Sequence, residues 1–174
     1  MPGIVNIDKA RLEIRVKKGF KKWNSRFGCF FDISTRMEQI PDKALAFLAE
    51  GTQKSAVYYY DIIMSIKGLG PGSGFDELSP AYKMAVIDIH LFLLDRVRYE
   101  YMKRLGWIDC YAGEEYSIFE QIRAFNDLAP DIQARPPVLS RSHPQYMEYM
   151  SKNLFEKDEI IRKLIPEALK KLSF

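Results

Sequence analysis

Cysteine and histidine are scarce in this sequence, with two copies of each in 174 residues. Cys29 and Cys110 lie far apart, and neither belongs to a CxxC pair. Protein metal sites draw on clusters of such ligands, and the chain contains neither an HExxH nor an ExxH spacing. The sequence therefore predicts no bound metal. It favours two free thiols over a disulfide framework, because a chain of this length buries a core without one.

Motifs of nucleophilic and nucleotide-dependent catalysis are missing as well. There is no GxSxG, and neither cysteine has a histidine close to it in the sequence. The glycine loop, residues 68–74, lacks both the Lys-Ser/Thr ending of a P-loop and the pattern of a dinucleotide fingerprint. We therefore expect a non-enzymatic protein that needs no cofactor, and a loop that is a mobile connector rather than an anion cradle.

Long hydrophobic runs are also lacking. The longest apolar stretch, residues 84–94, is interrupted by Asp88 and His90 and is followed by Asp95. A bilayer-spanning helix needs about 20 predominantly apolar residues, so we expect no membrane span. The N-terminus does not show the apolar segment of a secretory signal. These features favour a cytoplasmic protein.

Apolar and aromatic residues make up much of what is present, with a hydrophobic fraction of 47% and an aromatic fraction of 13%. A composition of this kind excludes a chain that is disordered throughout. The length suits one domain, so residues 1–174 are taken as a single helical domain. Surplus rings stabilise a core or mark a surface that binds a partner.

The clearest predicted element runs from Ser79 to Gly106. Ser79 is a favourable N-cap, Pro80 suits the first helical position, and Gly106 is a natural stop. Apolar residues occupy nearly every face of its first two-thirds, which indicates a helix surrounded by others. We therefore predict a mainly α bundle of about five to six helices around a central buried helix.

Shorter helices are predicted on either side of this element, separated by glycine and proline. The proline-containing segment of residues 130–144 is expected to lack regular structure, and a break is expected near Asn153. The predicted helices are 42–50, 52–68, 114–128 and one that resumes at Ser142, with Pro144 in its first turn, and continues beyond the break to the C-terminus.

Residues 1–33 carry two conflicting patterns. Alternation of apolar and charged residues through Leu12, Ile14 and Val16 is typical of a strand, whereas apolar residues at helical spacing continue to Phe27. Gly19 and Gly28 weaken both interpretations. We expect a short β element or an extended arm, followed by an irregular aromatic segment.

Positive charge is concentrated in this same N-terminal part, where cations alternate with rings. Cations neutralise phosphates and flat rings stack on bases, so a nucleic-acid or anion contact is one interpretation. The favoured alternative is an amphipathic edge whose rings face the core, and binding to a membrane surface is a weaker third. The candidate contact residues are Arg15, Lys17, Lys18, Lys21, Lys22, Trp23 and Arg26.

Ionisable residues in and near the central helix form a second candidate site. Asp88 and Asp95 are seven positions apart, which places them on one helix stripe about 10 Å apart. With His90, Tyr99 and Asp61, they are candidates for a ligand pocket or an acid–base pair. The favoured alternative is a polar network that sets helix register, with His90 as a hydrogen-bonded core residue.

Three functions are therefore compatible with the sequence. The leading expectation is a non-enzymatic binding or assembly module that has a protein partner or self-associates. The second is nucleic-acid binding through the basic N-terminal segment. The third is a small-molecule site around Asp88, His90 and Asp95.

Overall fold

The computed structural model describes the backbone of residues 2–172 and the side chains of residues 7–172. Within this range the fold is mainly α, as predicted, and it contains eight α-helices and one two-stranded antiparallel sheet. The helices are α1 Pro2–Phe27, α2 Asp42–Ala49, α3 Gln53–Lys67, α4 Pro80–Arg104, α5 Ile118–Arg123, α6 Phe125–Gln133, α7 Tyr146–Met150 and α8 Leu154–Leu169. The strands are β1 Ile108–Cys110 and β2 Val138–Leu139, and short 3-10 helices lie at Met37–Gln39, Gly72–Glu77 and Lys170–Leu172.

The N-terminal segment is a helix, so the prediction of a strand or extended arm there is wrong. A strand would send Val16 and Phe20 to one face and Trp23 to the other, because side chains alternate with a period of two. In a helix these three side chains share one face, and all three are buried. The tertiary packing of that face overrides the strand-like alternation of the preceding residues.

Helix α1 packs antiparallel on α3 at very short range. A Cβ added to Gly19 would lie 2.8 Å from Cδ1 and 3.1 Å from Cα of Ile62, so only glycine fits at this contact. On either side, Trp23 Nε1 donates to the Tyr58 carbonyl at 2.8 Å and Ser65 Oγ donates to the Arg15 carbonyl at 2.6 Å. These contacts fix the alignment of the two helices.

Helix α3 begins and ends where the sequence predicts. The Thr52 side chain accepts a hydrogen bond from the Ser55 amide, which satisfies a free donor at the helix start. Gly68 stops the helix in the left-handed region at φ 71°, where glycine is favoured. The glycine loop follows directly, and its second half is a 3-10 helix.

Helix α4 is the central element, as predicted. Ser79 caps it and Pro80 is its first residue. It packs against α2, α3, α8 and β1. It therefore joins the larger apolar cluster, which includes Phe92 and Leu93, to a smaller one that includes Tyr99 and Met102.

The second half of the chain contains more and shorter helices than the sequence predicts. The expected helix 114–128 appears as α5 and α6, which meet at Ala124. Helix α6 continues through Pro130, because Ala129 and Ile132 on its far side are buried and their packing offsets the lost hydrogen bond. The break near Asn153 is confirmed, since its side chain caps the start of α8.

The close approach of α1 and α3 gives a direct stability test. Gly19→Val would force a branched side chain into the space of Ile62, and overpacking of this kind costs about 1–3 kcal/mol. We expect urea denaturation to show that loss in the free energy of unfolding. Gly74→Val is the control, because a Cβ at Gly74 meets nothing within 4 Å. An unchanged stability in Gly19→Val would contradict the packing of α1 on α3.

Candidate anion-binding cleft

The docked position of α1 turns its cations toward solvent. Because Val16, Gly19, Phe20 and Trp23 take the face toward α3, the six predicted cationic contact residues lie on the remaining faces and are exposed. From residue 8 to residue 27 only Asp8 and Glu13 are acidic. The outer surface of α1 is therefore strongly positive.

Trp23 lies in the core rather than on this surface. Its side chain is 1% exposed, and its ring packs edge-on against Phe20 and Phe31. The indole N–H is already bonded to the Tyr58 carbonyl. Trp23 is thus not available to stack on a base, and its burial agrees with the interpretation that these rings belong to the core.

Helix α1 and the glycine loop enclose a cleft of about 650 Å³. We call it the basic cleft, because cations of α1 form one of its walls. The opposite wall is the end of α3 and the glycine loop. The lining residues are Arg15, Lys18, Lys21, Lys22, Asp61, Ser65, Gly68, Gly70, Pro71 and Ser73.

Asp61 connects the two walls of the basic cleft. Its Oδ2 lies 3.4 Å from Nζ of Lys22, and its Oδ1 accepts the Gly72 N–H at 3.1 Å. A Cβ at Gly72 would lie 2.7 Å from the backbone nitrogen of Asp61, so the loop approaches α3 this closely only as glycine. The buried carboxylate thus positions both a cation and the loop backbone.

The other cations of the cleft are held less tightly. The guanidinium of Arg15 lies over Gly68, where an added Cβ would be 3.4 Å from Cζ. This is the C-terminal end of α3, whose free carbonyl groups attract positive charge. Lys18 and Lys21 form no ion pair with the side chains of residues 7–172, so both amines are free to meet an anion.

Lys17 and Arg26 lie outside the basic cleft. Lys17 lines shallow grooves on other parts of the α1 surface, one of them shared with Phe30. The guanidinium of Arg26 lies 4.2 Å from the ring centre of Phe47 and also covers the ring of Tyr58. The predicted basic set is thus divided into the cleft group and these two residues.

The carboxylates of the second candidate site are not brought together. Asp88 is exposed beside Lys67 and Tyr82 in a shallow groove. Asp95 pairs at 3.0 Å with Arg162 of α8. Tyr99 is buried in the smaller apolar cluster, and Asp61 lies in the basic cleft. Asp95 and Tyr99 are neighbours, since burial and then the charge of Asp95 raise the pKa of the Tyr99 hydroxyl. The structure places Asp88 and Asp61 in other surroundings, without a common pocket.

His90 is packed between aromatic rings instead. Its ring centre lies 4.8 Å from that of Tyr59 and 5.3 Å from that of Tyr60. Its Nε2 is buried and has no hydrogen-bond partner among the described residues, unlike the hydrogen-bonded core histidine that the sequence favours. Burial lowers the pKa of His90 below its usual value, and the charge of Arg98 lowers the pKa further.

The lowered pKa of His90 predicts a loss of stability in mild acid. The unfolded chain takes up a proton near pH 6.5 more readily than the folded one, so the free energy of unfolding falls as the pH drops from about 7 to 5. We expect His90→Gln to reduce this fall in urea denaturation profiles, with His143→Gln as the matched control. If the free energy of unfolding of His90→Gln falls with pH as steeply as that of the unchanged protein, His90 is not the cause of the acid instability.

A buried polar network on α4 was missed by sequence reasoning. The Arg96 guanidinium donates to the Ala112 carbonyl at 2.8 Å and lies against the Tyr99 ring. One turn further on, Glu100 accepts from the Tyr111 hydroxyl at 3.3 Å. Burial raises the pKa of Glu100, although neighbouring cations oppose this. The sequence did contain a signal for this network, because Arg96 and Glu100 are opposite charges four residues apart on a helix predicted to be buried.

Neither a cluster of metal ligands nor a membrane-spanning helix accompanies the basic cleft in the described part of the chain. Among residues 7–172, no three His, Cys, Asp or Glu side chains converge as metal ligands. No helix in the described part of the chain has the length and apolar character needed to cross a bilayer. No known protein family, curated protein or solved structure matches this chain.

Proposed function

We propose that this protein is a non-enzymatic binding module that binds the phosphate backbone of nucleic acid through the exposed cations of α1. The observation that carries the proposal is the separation of the two residue types on this helix. Its rings are buried against α3, while its cations point to solvent and Lys17, Lys18 and Lys21 have no carboxylate partner among the described residues. We place this binding in the cytoplasm.

The spacing of the cations supports contact with a regular polyanion. Lys17 and Lys21 are four residues apart and Lys18 and Lys21 three, so the three lysines without a carboxylate partner lie on neighbouring turns at the solvent side of α1. Together they extend about 6 Å along the helix axis. Lysine and arginine bound to phosphates release condensed counterions, which favours binding regardless of base sequence.

The proposal is tested by the salt dependence of binding to a labelled DNA duplex. Replacing Lys17, Lys18 and Lys21 together by Gln removes charge without breaking an ion pair of the described structure. We expect weaker binding and a smaller slope of log affinity against log salt, lower by about 0.9 for each lysine that contacts a phosphate. Fluorescence anisotropy at several salt concentrations measures both.

A charge-matched control separates this contact from general attraction. Lys54, Lys163 and Lys170 are exposed and lie on α3, on α8 and just beyond the end of α8. Their joint replacement by Gln changes the net charge equally, and we expect the salt slope to stay close to that of the unchanged protein. Equal losses in the two triple variants would contradict a specific role for α1.

Self-association is a second candidate function, supported by an exposed apolar patch where α7 meets α8. Met147 is 79% exposed, Met150 52%, Leu154 61% and Phe155 72%. Exposed apolar side chains grouped in one part of a surface are typical of sites that bind partners, and methionine adapts easily to an opposing surface. A second copy of the chain is the proposed partner.

Light scattering across a range of protein concentrations tests this candidate. We expect an oligomer at high micromolar concentration that Met150→Ser with Phe155→Ser converts to a monomer. Tyr82→Ser with Met84→Ser, exposed on α4, is the control pair and leaves the oligomer intact. A strict monomer for the unchanged protein at these concentrations would count against self-association.

A further inference from the structure

We infer that the basic cleft binds a compact oligophosphate, a small ligand of two or three linked phosphate groups, and recognises it by the phosphates alone. The ligand class differs from the polymer of the proposed function, although both ligands would use Lys18 and Lys21. The cleft adds a second wall, the glycine loop, which a long duplex lying along the outer surface of α1 does not need.

The size and charge of the cleft match such a ligand. Its volume of about 650 Å³ falls within the range of small-molecule sites. Four cations, Arg15, Lys18, Lys21 and Lys22, face a single carboxylate, that of Asp61. An anion with several negative charges is therefore the ligand that this lining neutralises best.

The one carboxylate of the cleft is tied to both walls. The Asp61 side chain is 9% exposed; its Oδ1 accepts the Gly72 N–H, and its Oδ2 lies 3.4 Å from the Lys22 amine without a hydrogen bond. Asp61 therefore acts as a positioning residue for Lys22 and for the loop. The salt bridge limits the freedom of the Lys22 amine, which reduces the entropy lost when a phosphate binds.

The glycine loop supplies backbone donors on the opposite wall. Hydrogen bonds from the amides of Gly68, Leu69, Gly72 and Gly74 hold the loop in the described part of the chain. This leaves the N–H groups of Gly70, a residue at φ 88°, and of Ser73 for a ligand. Loop amides in left-handed turns form concave anion sites, and here α1 adds the cations that the loop sequence lacks.

The lining also explains why phosphates alone would be recognised. No aromatic side chain lines the described cleft, so a nucleobase finds no stacking partner there. The phosphates of a nucleoside triphosphate and of inorganic tripolyphosphate would meet the same cations. The two ligands are therefore expected to bind with affinities within about threefold of each other, a difference of about 0.7 kcal/mol.

Isothermal titration calorimetry of the full chain with sodium tripolyphosphate tests the inference. We expect one site per chain, and at least tenfold weaker binding in Lys18→Gln and in Ser73→Asp. Ser73 is exposed on the loop wall, so the added carboxylate repels the ligand without disturbing the core. Lys163→Gln is the charge-matched control, exposed on α8, and leaves the affinity unchanged because Lys163 lies outside the cleft.

The outcomes distinguish this inference from the proposed function. Absence of tripolyphosphate binding at millimolar concentration, or equal affinity in the unchanged protein and Ser73→Asp, would overturn the inference. The proposed binding of a DNA duplex would then still be tested by the salt dependence of its affinity. Cleft-dependent tripolyphosphate binding with no duplex binding would support the inference and refute the proposed function. A Tm of Ser73→Asp equal to that of the unchanged protein verifies that the variant is folded.

Discussion

In the antiparallel pair of α1 and α3, Gly19 lies where any side chain would collide with Ile62. This contact brings the α1 backbone close enough for the Trp23 indole to reach the Tyr58 carbonyl and for Ser65 to reach the Arg15 carbonyl. The same alignment sets Lys22 beside Asp61 and Arg15 beside Gly68. The buried rings, the outward cations and the basic cleft all depend on it.

The charged residues of this protein fall into two groups, one buried and one hydrated, which contribute differently to stability. Arg96 and Glu100 on α4 are buried, so each carries a desolvation cost that its hydrogen bonds and ring contacts offset only in a fixed arrangement. The cations of α1 remain hydrated and contribute little to stability. The first group stabilises one arrangement of the central helix, whereas the second is available to a ligand.

The sequence was sufficient to predict those helix ends that are marked by a capping or helix-stopping residue. Ser79 and Pro80 mark the start of α4, Gly68 the end of α3 and Asn153 the start of α8, because each residue satisfies or removes a free backbone group. Residues 1–33 carry a stop signal in Gly28, at φ 64° directly after α1, but no clear start, and only the face of α3 decides between strand and helix. The basic cleft could not be predicted from the sequence for the same reason, because Lys22 and Asp61 meet only when α1 packs on α3.

Amide hydrogen exchange along residues 8–27 tests the central claim most directly. If α1 is docked through Gly19, Phe20 and Trp23, the amides of residues 16–23 exchange about as slowly as those of α3, because both helices open only when their shared interface does. Rapid exchange throughout residues 8–27 beside a protected α3 would show a free arm. It would contradict both the packing and the cleft that is built on it.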